Sequence, residues 1–311
     1  MARAKYEQKR SCVAAILRVR LQTVITHSDT GVTPDYRPWQ KAGHTMLIIQ
    51  PIGGLCNRMR AINSARILAE KRSKAQPENL IVIWFVNPEL GCPFERIFEA
   101  TDHFKVINIR SKWNLRKMWY QLSSMAFGSF ADNHAIRSHK GNGTLDAAFS
   151  DSLKRRTYIA TEEHFYPCHD YSSFIPSKEV MKKIASKKQE LGLHSVGVHI
   201  RRTDNMPAIG KSSTESFIAS MEHEIASEPE TMFYLATDDF AEEEKLREHF
   251  PDRIISNQER NLSRDSIEGI QDAMVDLYCL ASTKKIIGSY FSSFTDIAAD
   301  MHDIPKIIAG A

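Results

Sequence analysis

The chain has 311 residues, enough for one large domain or two ordinary ones. Hydrophobic residues make up 42% of it and charged residues 25%, close to the average of soluble globular proteins, which excludes a disordered or collagen-like chain. The formal net charge is +3, but residues 1–45 hold eight Lys and Arg against three acids, which leaves 33 basic and 35 acidic residues in the remainder. The remainder is not a polycation, so no nucleic-acid partner is expected.

The cysteine pattern and the hydropathy both favour a reducing, aqueous compartment. The five cysteines lie far apart without a C-x-x-C pair, so neither a zinc site nor a disulfide framework is predicted for Cys12, Cys56, Cys92, Cys168 and Cys279. The apolar run at 12–17 is too short for a signal-peptide core, and no stretch approaches the roughly 20 apolar residues of a membrane span. We therefore expect a cytoplasmic protein without a transmembrane segment.

Residues 1–45 are predicted to be a basic N-terminal extension. The segment 28–45 is rich in turn-forming residues and has no apolar period, and Met46 then opens directly onto an apolar run. We expect the extension to stay outside the core and to be disordered; a short helix packed on the body is the alternative.

From Met46 onward, short apolar runs alternate with amphipathic segments, a pattern typical of βα units on a parallel sheet. The first half is predicted to contain strands at 46–50, 80–86 and 104–109 and a helix at 57–74. An irregular stretch follows at 110–155, with a predicted loop at 139–144. A clearer alternation follows a basic helix at 178–190, with strands at 196–201, 232–237, 253–256, 285–289 and 305–309 and helices at 214–227, 240–249, 265–281 and 294–302.

The predicted fold class is α/β, with two Rossmann-like domains. The first covers residues 46–175 and the second covers 176–311, because the segment 168–180 is polar and bounded by proline. In open sheets of this class, ligands bind outside the carboxyl ends of the strands. The residues that directly follow each strand are therefore the candidates for a functional site.

A Gly-Gly turn follows the first predicted strand and enters a helix. Gly53 and Gly54 permit a positive φ and close backbone approach, and the start of the helix offers free N–H groups to an anion or a sugar hydroxyl. Asn57 and Arg58 come next and add polar side chains. A tight turn that binds no ligand is the alternative.

Two arginines follow the first strand of the second half. Alternation places Val196, Val198 and Ile200 on one face of this strand, and Gly197, His199 and Arg201 on the other. Arg201 and Arg202 are costly to bury without an anion, and planar guanidinium groups suit a pyrophosphate. The alternative is an Arg–Asp pair that closes the strand end, with Asp204 or the acids of the next strand as the partner.

Two further strand ends carry polar residues. Asp238 and Asp239 follow the strand at 232–237, where a carboxylate could accept hydrogen bonds from a ribose or from the edge of guanine. Ser292 and Ser293 follow the strand at 285–289 and precede a helix, so hydroxyls and N–H groups could meet a phosphate there. Ordinary serine capping of the helix is the alternative.

Several common signatures are absent from the sequence. No Asp-x-Asp occurs, which favours a mechanism without a metal, and there is no G-x-G-x-x-G or G-x-S-x-G. Gly210-Lys211-Ser212 follows a strand as a phosphate-binding loop would, but Asn205 stands where the first glycine of that loop is required. A Mg²⁺-dependent kinase or phosphatase is therefore a weak alternative.

The segment from His199 to Asp204 resembles the H-x-R-R-x-D signature of the alpha-1,6-fucosyltransferases, including the nodulation-type enzymes, and of the related protein O-fucosyltransferases. Similar segments follow in the same order at 235–239, 276–280 and 290–293, and the turn at 53–59 is similar to the first turn of that superfamily. The resemblance is specific over 196–300 and loose over 46–190. It implies two Rossmann-like domains in a GT-B-like arrangement, with the donor in the second and the acceptor on the side of the first.

The resemblance also implies an activity: inverting, metal-independent transfer of fucose from GDP-fucose to a hydroxyl of a glycan or glycoconjugate. Arg201 or Arg202 would hold the β-phosphate of the donor, and four other residues would line the GDP site: His199, Asp239, Asp276 and Ser293. The remaining strand-end candidates are also expected to bind the donor: Gly53, Gly54, Asn57, Arg58, Asp238 and Ser292. Glu215 is the nearest counterpart of the base assigned in some members, and Asp204 is its rival. The membrane anchor of the Golgi members has no counterpart in the sequence, so a bacterial-type enzyme is expected.

Two alternatives differ from this hypothesis in function but not in fold. A nucleotide- or glycan-binding protein would bind GDP without releasing a sugar. A transferase could also use a GDP-sugar other than GDP-fucose.

Overall fold

The computed structural model describes residues 45–73, 79–110, 123, 127–203 and 206–311. These residues separate into two compact units, the first running to Asn87 and over Thr101–Pro167, and the second over Pro88–Ala100 and Cys168–Ala311. The second unit therefore also contains Pro88–Ala100, which the sequence analysis had placed in the first domain. Residues 1–44 lie outside the described residues, so the basic extension stays a prediction.

The described strands of the first unit form a five-stranded parallel sheet in the order β3-β2-β1-β7-β4, beside a small antiparallel pair, β5 and β6. In chain order the elements are β1 (Met46–Pro51), α1 (Leu55–Arg72), β2 (Asn79–Val86), β3 (Lys105–Arg110), β4 (Ser129–Asp132), α2 (Asn133–Ser138), β5 (Lys140–Gly141), β6 (Thr144–Leu145), α3 (Ala147–Ser152) and β7 (Arg156–Thr161). The predicted strands and the helix are confirmed within two residues at each end, and β5 and β6 occupy the predicted loop.

Two strands of this sheet were not predicted: β4 lies in the irregular stretch 110–155, and β7 directly follows it. β7 pairs with β1 along its whole length, so Ile159 lies beside Ile49 in the centre of the sheet. β4 pairs with the other side of β7. The central strands β1 and β2 are continuous apolar runs because both faces of a parallel sheet are covered.

The described strands of the second unit form a five-stranded parallel sheet in the order β10-β9-β8-β11-β12. In chain order the elements are α4 (Lys178–Lys188), β8 (Ser195–Ile200), α5 (Met206–Lys211), α6 (Thr214–Ser227), β9 (Met232–Thr237), α7 (Phe240–His249), β10 (Ile254–Ile255), α8 (Ile267–Leu280), β11 (Ile286–Gly288), α9 (Ser293–His302) and β12 (Lys306–Ile308). The predicted elements of this half are confirmed within two residues at each end.

The predicted alternation along β8 is also confirmed. Val196, Val198 and Ile200 are buried in a cluster with Phe217 of α6 and Phe233 of β9. Gly197 faces the other way, where an added Cβ would come within 2.9 Å of the side chains of Leu280 and Thr283. The absence of a side chain at this position therefore lets α8 pack closely on the sheet.

Each sheet has one place where the strand order reverses. In the first unit the chain moves from β1 outward to β3 and returns on the other side as β4 and β7, so the reversal lies between β1 and β7. In the second unit it lies between β8 and β11. The loops at such a reversal diverge and leave a crevice for ligands. Among the described residues, no helix is long and apolar enough to cross a membrane.

Candidate functional site

The two arginines after β8 have different environments, and Arg202 is the more buried. Its side chain is 11% exposed, and its Nη2 lies 2.7 Å from Oε1 of Glu242, which is 4% exposed. Nη1 donates to the carbonyl of Ser212 at 2.9 Å, and the hydroxyl of Thr214 shares the same carboxylate oxygen. Arg202 therefore joins the end of β8 to α6 and α7 through an ion pair, and its partner is Glu242 of α7, which the predicted Arg–Asp alternative did not include.

Arg201 lies at the edge of the sheet and is 24% exposed. Its Nε is 3.8 Å from Oδ2 of Asp238, which is too long for a direct hydrogen bond. Its backbone N–H donates to the hydroxyl of Ser289, the residue after β11, at 2.9 Å. Arg201 therefore stands at the reversal between β8 and β11, near Asp238.

Asp238 and Asp239 both bind backbone N–H groups. Asp238 accepts from the N–H of Arg202 at 2.7 Å and from the hydroxyl of Thr203 at 2.6 Å, which fixes the turn after β8. Asp239 caps α7 by accepting from the N–H of Ala241 at 2.8 Å. Both carboxylates lie at the expected strand end, and their hydrogen bonds to the backbone stabilise the turn and the helix start there.

The loop after β11 brings Ser292 and Ser293 to the same edge. Ser292 precedes α9, but its side chain makes no capping hydrogen bond. The first N–H groups of a helix have no partner within the helix, so the N-terminus of α9 can receive an anion. Phe291 has a φ of 52° and is 81% exposed beside this N-terminus.

His199 is buried beneath this edge and supports it. Its Nδ1 lies 2.8 Å from the hydroxyl of Thr295 and 3.4 Å from that of Ser292, and its ring stacks on Phe294 at 4.8 Å. Burial, reinforced by the charge of Arg201, lowers the pKa of His199 to about 3. The imidazole is therefore neutral at pH 7 and connects the end of β8 to the start of α9.

Asp276 lies in the interior of the second unit. It is on α8, buried, and accepts a hydrogen bond of 2.7 Å from the hydroxyl of Tyr234 in the middle of β9. Burial raises the pKa of Asp276 to about 7. The structure gives this carboxyl group an interior partner, and its place in the GDP site stays a prediction from the resemblance.

Glu215 is the candidate base that lies among the described residues. Glu215 is in the first turn of α6, where its backbone hydrogen bond and the hydroxyl of Ser213 lower its pKa and make it a weaker proton acceptor. Asp204 lies outside the described residues.

The remaining candidates lie in the first unit, after β1. Gly53 has a φ of 82°, which favours glycine, while Gly54 precedes α1 and Asn57 is partly exposed. Arg58 is fully buried: its Nη1 donates to the carbonyl of Phe85 at 2.6 Å and its Nε to that of Gly53 at 2.8 Å. Arg58 therefore joins the turn to the end of β2, and its donors are occupied by the protein itself.

Sequence reasoning missed three residues at these edges. Ser289 and Thr295 contact Arg201 and His199, and Glu162 follows β7 in the first unit. Ser289 ends the predicted strand 285–289 and Thr295 lies in the helix that follows it, so the polar residues at this strand end were the signal that could have indicated both. Glu162 was missed together with β7. Within the described part of the chain, no group of three or more His, Cys, Asp or Glu residues is placed to hold a metal ion.

Comparison with known proteins gives structural neighbours only. No family model and no curated protein matches the sequence. The NodZ alpha-1,6-fucosyltransferase soaked with GDP-fucose is similar with a TM-score of 0.58 and 16% identity, over 83% of this chain and 92% of that one. Fucosyltransferase NodZ from Bradyrhizobium gives 0.54 and 16%, over 82% and 92%. POFUT1 without ligand gives 0.54 and 11%, over 87% and 99%.

At 11% to 16% sequence identity, the structural similarity establishes the fold alone. It confirms the α/β class with parallel sheets, and it confirms the resemblance to the fucosyltransferases at the level of the fold. The GT-B-like arrangement of two domains stays a prediction.

The burial of the Arg202–Glu242 pair predicts a stability effect. Arg202→Ala leaves Glu242 buried without a counter-charge, so we expect the free energy of unfolding in urea to fall by about 3 to 5 kcal/mol. Arg96→Ala is the control, with an expected change within about 1 kcal/mol because its ion pair with Glu179 is about half exposed. Equal losses of unfolding free energy in the two variants would contradict the burial of the Arg202–Glu242 pair.

The raised pKa of Asp276 predicts a pH effect on stability. The folded protein keeps a proton on this group up to about pH 7, whereas the unfolded chain loses it near 3.8. The contribution to stability is therefore full below the unfolded pKa and is lost as the pH rises through about 7. Because asparagine cannot ionise, the melting temperature of Asp276→Asn should gain on that of the wild type between about pH 5 and pH 8. A constant difference would show that the carboxyl group is not protonated in the fold.

Proposed function

We propose that this protein is a glycosyltransferase that takes fucose from GDP-fucose and transfers it to a hydroxyl of a glycan. The observation that carries the proposal is the position of Arg201, at the strand-order reversal of the second unit and bonded through its N–H to Ser289. A guanidinium group, hydroxyls and a helix N-terminus together suit a diphosphate.

Arg201 is the arginine that we assign to the donor phosphates. Arg202 already has a carboxylate, a carbonyl and a hydroxyl as partners, so it would have to give up a buried ion pair in order to bind a ligand. When the bond between sugar and phosphate breaks, negative charge grows on the leaving diphosphate. A fixed positive charge beside that oxygen stabilises the transition state more than the ground state, an effect worth several kcal/mol in a dry site.

GDP and fucose are proposed as the nucleotide and the sugar because the chain is similar in structure to fucosyltransferases. The neighbours include NodZ soaked with GDP-fucose and POFUT1 in complex with GDP-fucose, with TM-scores of 0.58 and 0.54. In this chain Asp238 and Asp239 are partly exposed at the end of β9, where a carboxylate oxygen could accept from ribose or guanine. Ser292 and Ser293 are proposed to meet the phosphates, and His199 is proposed to support them as a neutral ring.

We further propose that the reaction inverts the anomeric carbon and needs no metal ion. Inversion requires the acceptor hydroxyl to attack on the side opposite the leaving diphosphate. Deprotonation of that hydroxyl can be late if the transition state has strong oxocarbenium character, so a strong base is not essential. Asp204 and Glu215 stay candidates for the base that accepts the proton of the acceptor hydroxyl. A cytoplasmic location is part of the proposal, on the cysteine spacing given in the sequence analysis.

A binding protein with the same fold is the rival proposal. It would use Arg201 and Ser289 in the same way but would release no sugar. Binding and turnover must therefore be measured separately.

Calorimetric titration with GDP, UDP and ADP tests the binding half. We expect GDP to bind best, and Arg201→Ala to weaken it by at least tenfold, about 1.4 kcal/mol, with partial recovery in Arg201→Lys. Arg253→Ala is a suitable control, because Arg253 donates to the carbonyls of Pro229 and Thr231 ahead of β9. Unchanged GDP affinity in Arg201→Ala would refute the proposal that Arg201 binds the donor phosphates.

Excess EDTA tests the proposed charge neutralisation by arginine. Because Arg201 would carry the role that a divalent cation has in many transferases, the rate of GDP release should stay within about twofold. A rate that vanishes with EDTA and returns with Mn²⁺ or Mg²⁺ would contradict the metal-independent mechanism.

A further inference from the structure

The segment Gly210-Lys211-Ser212, which shares part of its sequence with a phosphate-binding loop, is placed differently in the fold. Gly210 and Lys211 form the exposed end of α5, whereas Ser212 follows the helix and is fully buried. In a phosphate-binding loop the serine hydroxyl is open to Mg²⁺. Here the hydroxyl is bonded inside the second unit, so its partners indicate what the segment does.

The Ser212 hydroxyl connects two backbone groups from distant parts of the chain. It donates to the carbonyl of Ala309, the residue after β12, at 2.7 Å. It accepts from the N–H of Tyr290, in the loop after β11, at 2.9 Å. A hydroxyl has one donor hydrogen and two acceptor positions, so it satisfies both groups at once. Its removal would leave both groups without this partner, and an unsatisfied backbone group in the interior is costly.

The loop that Ser212 holds, residues 289–292, carries groups proposed for the donor phosphates. Ser289 accepts from the N–H of Arg201 at 2.9 Å, and its own N–H donates to the carbonyl of His199 at 3.1 Å. Ser292 stands directly before α9. The residues that lead to Ser292 are therefore held by β8 at Ser289 and by Ser212 at Tyr290.

Phe291 shows why this loop needs support. Its φ of 52° lies in the left-handed region, where a bulky side chain is strained. Such a conformation persists only when the surrounding structure fixes it. The N–H of Tyr290 is held by Ser212, and the carbonyl of Ser292 accepts from the N–H of Asp296 at 3.1 Å. The backbone is thus fixed on both sides of Phe291.

Gly310 allows residues 309–310 to lie close enough to complete this connection. Its φ is 79°, and an added Cβ would lie 2.4 Å from the carbonyl oxygen of Lys211, closer than two such atoms can approach. The N–H of Ala309 donates to the carbonyl of Gly288, the last residue of β11, at 3.0 Å. Ala309 is therefore anchored to β11 and, through Ser212, to the loop that follows β11.

We propose that Ser212 is a positioning residue of the donor site. Its hydroxyl holds the N–H of Tyr290, which keeps Ser292 and the start of α9 in the geometry that receives the phosphates. Because Ser212 is fully buried, it acts through the loop and does not touch the donor. The inference rests on the proposed transferase function and deepens it.

The test uses Ser212→Ala, with Ser195→Ala as the matched control. Ser195 is a buried serine at the other end of β8, where its hydroxyl accepts from the N–H of Gly192 at 3.0 Å. In Ser212→Ala we expect GDP to bind about tenfold more weakly, because a small displacement of a binding group has a large effect. In a transfer assay the KM for the donor should rise while the KM for the acceptor stays constant. Ser195→Ala should bind GDP as the wild type does.

Gly310→Ala tests the same connection without changing Ser212. The added Cβ would push residues 309–310 away from Lys211, so GDP affinity should fall in this variant as well. Gly192→Ala is its control, because nothing lies within 4 Å of a Cβ at that position. Melting temperatures identify any variant that does not fold.

Hydrogen–deuterium exchange separates this inference from the proposed function, because it needs no ligand. The N–H of Tyr290 should exchange about tenfold faster or more in Ser212→Ala than in the wild type or Ser195→Ala. GDP affinity that is unchanged in Ser212→Ala, or that falls equally in Ser195→Ala, would overturn the role of Ser212 and leave the donor site intact, and so would unchanged exchange at Tyr290. A wild type that does not bind GDP would instead refute the proposed function, while faster exchange at Tyr290 would still support the hold of Ser212 on the loop.

Discussion

The buried ion pair between Arg202 and Glu242 fixes the strand end on which the candidate site is built. Two charges in the interior of a protein are costly unless their hydrogen bonds are satisfied, and here Ser212 and Thr214 complete them. The pair connects β8 to α6 and α7, so the turn after β8 has little freedom. Successive residues of an extended chain point in opposite directions, and Arg201 therefore remains at the edge of the sheet when Arg202 turns inward.

Parallel sheets explain why polar residues from distant parts of the sequence meet. All strands of such a sheet end at the same edge, and the loops separate where the strand order reverses. In the second unit this brings Arg201 to Ser289, which is 88 residues away. In the first unit it brings Glu162 near Gly53. A guanidinium group at the reversal of the second unit suits a diphosphate.

The sequence predicts most of the second unit because its strands are apolar runs bounded by polar turns, and helix 214–227 has the predicted bounds. β7 was missed because its sequence, RTYIAT, mixes threonines with apolar residues, although Ile159 is fully buried. For the site, the pattern indicates which residues end a strand but not which way a side chain turns. Arg58 looked like a ligand-binding residue, and only the fold shows that it donates to the carbonyl of Phe85, 27 residues away.

Turnover of GDP-fucose, followed as GDP release beside GDP-mannose and UDP-galactose, is the most direct test of the proposed function. We expect GDP-fucose to be the preferred donor, and NMR of the product should show an α-fucoside formed from the β-linked donor. Tight GDP binding without release from GDP-fucose, over a broad panel of glycans and with no slow hydrolysis, would contradict the transferase and favour the binding protein.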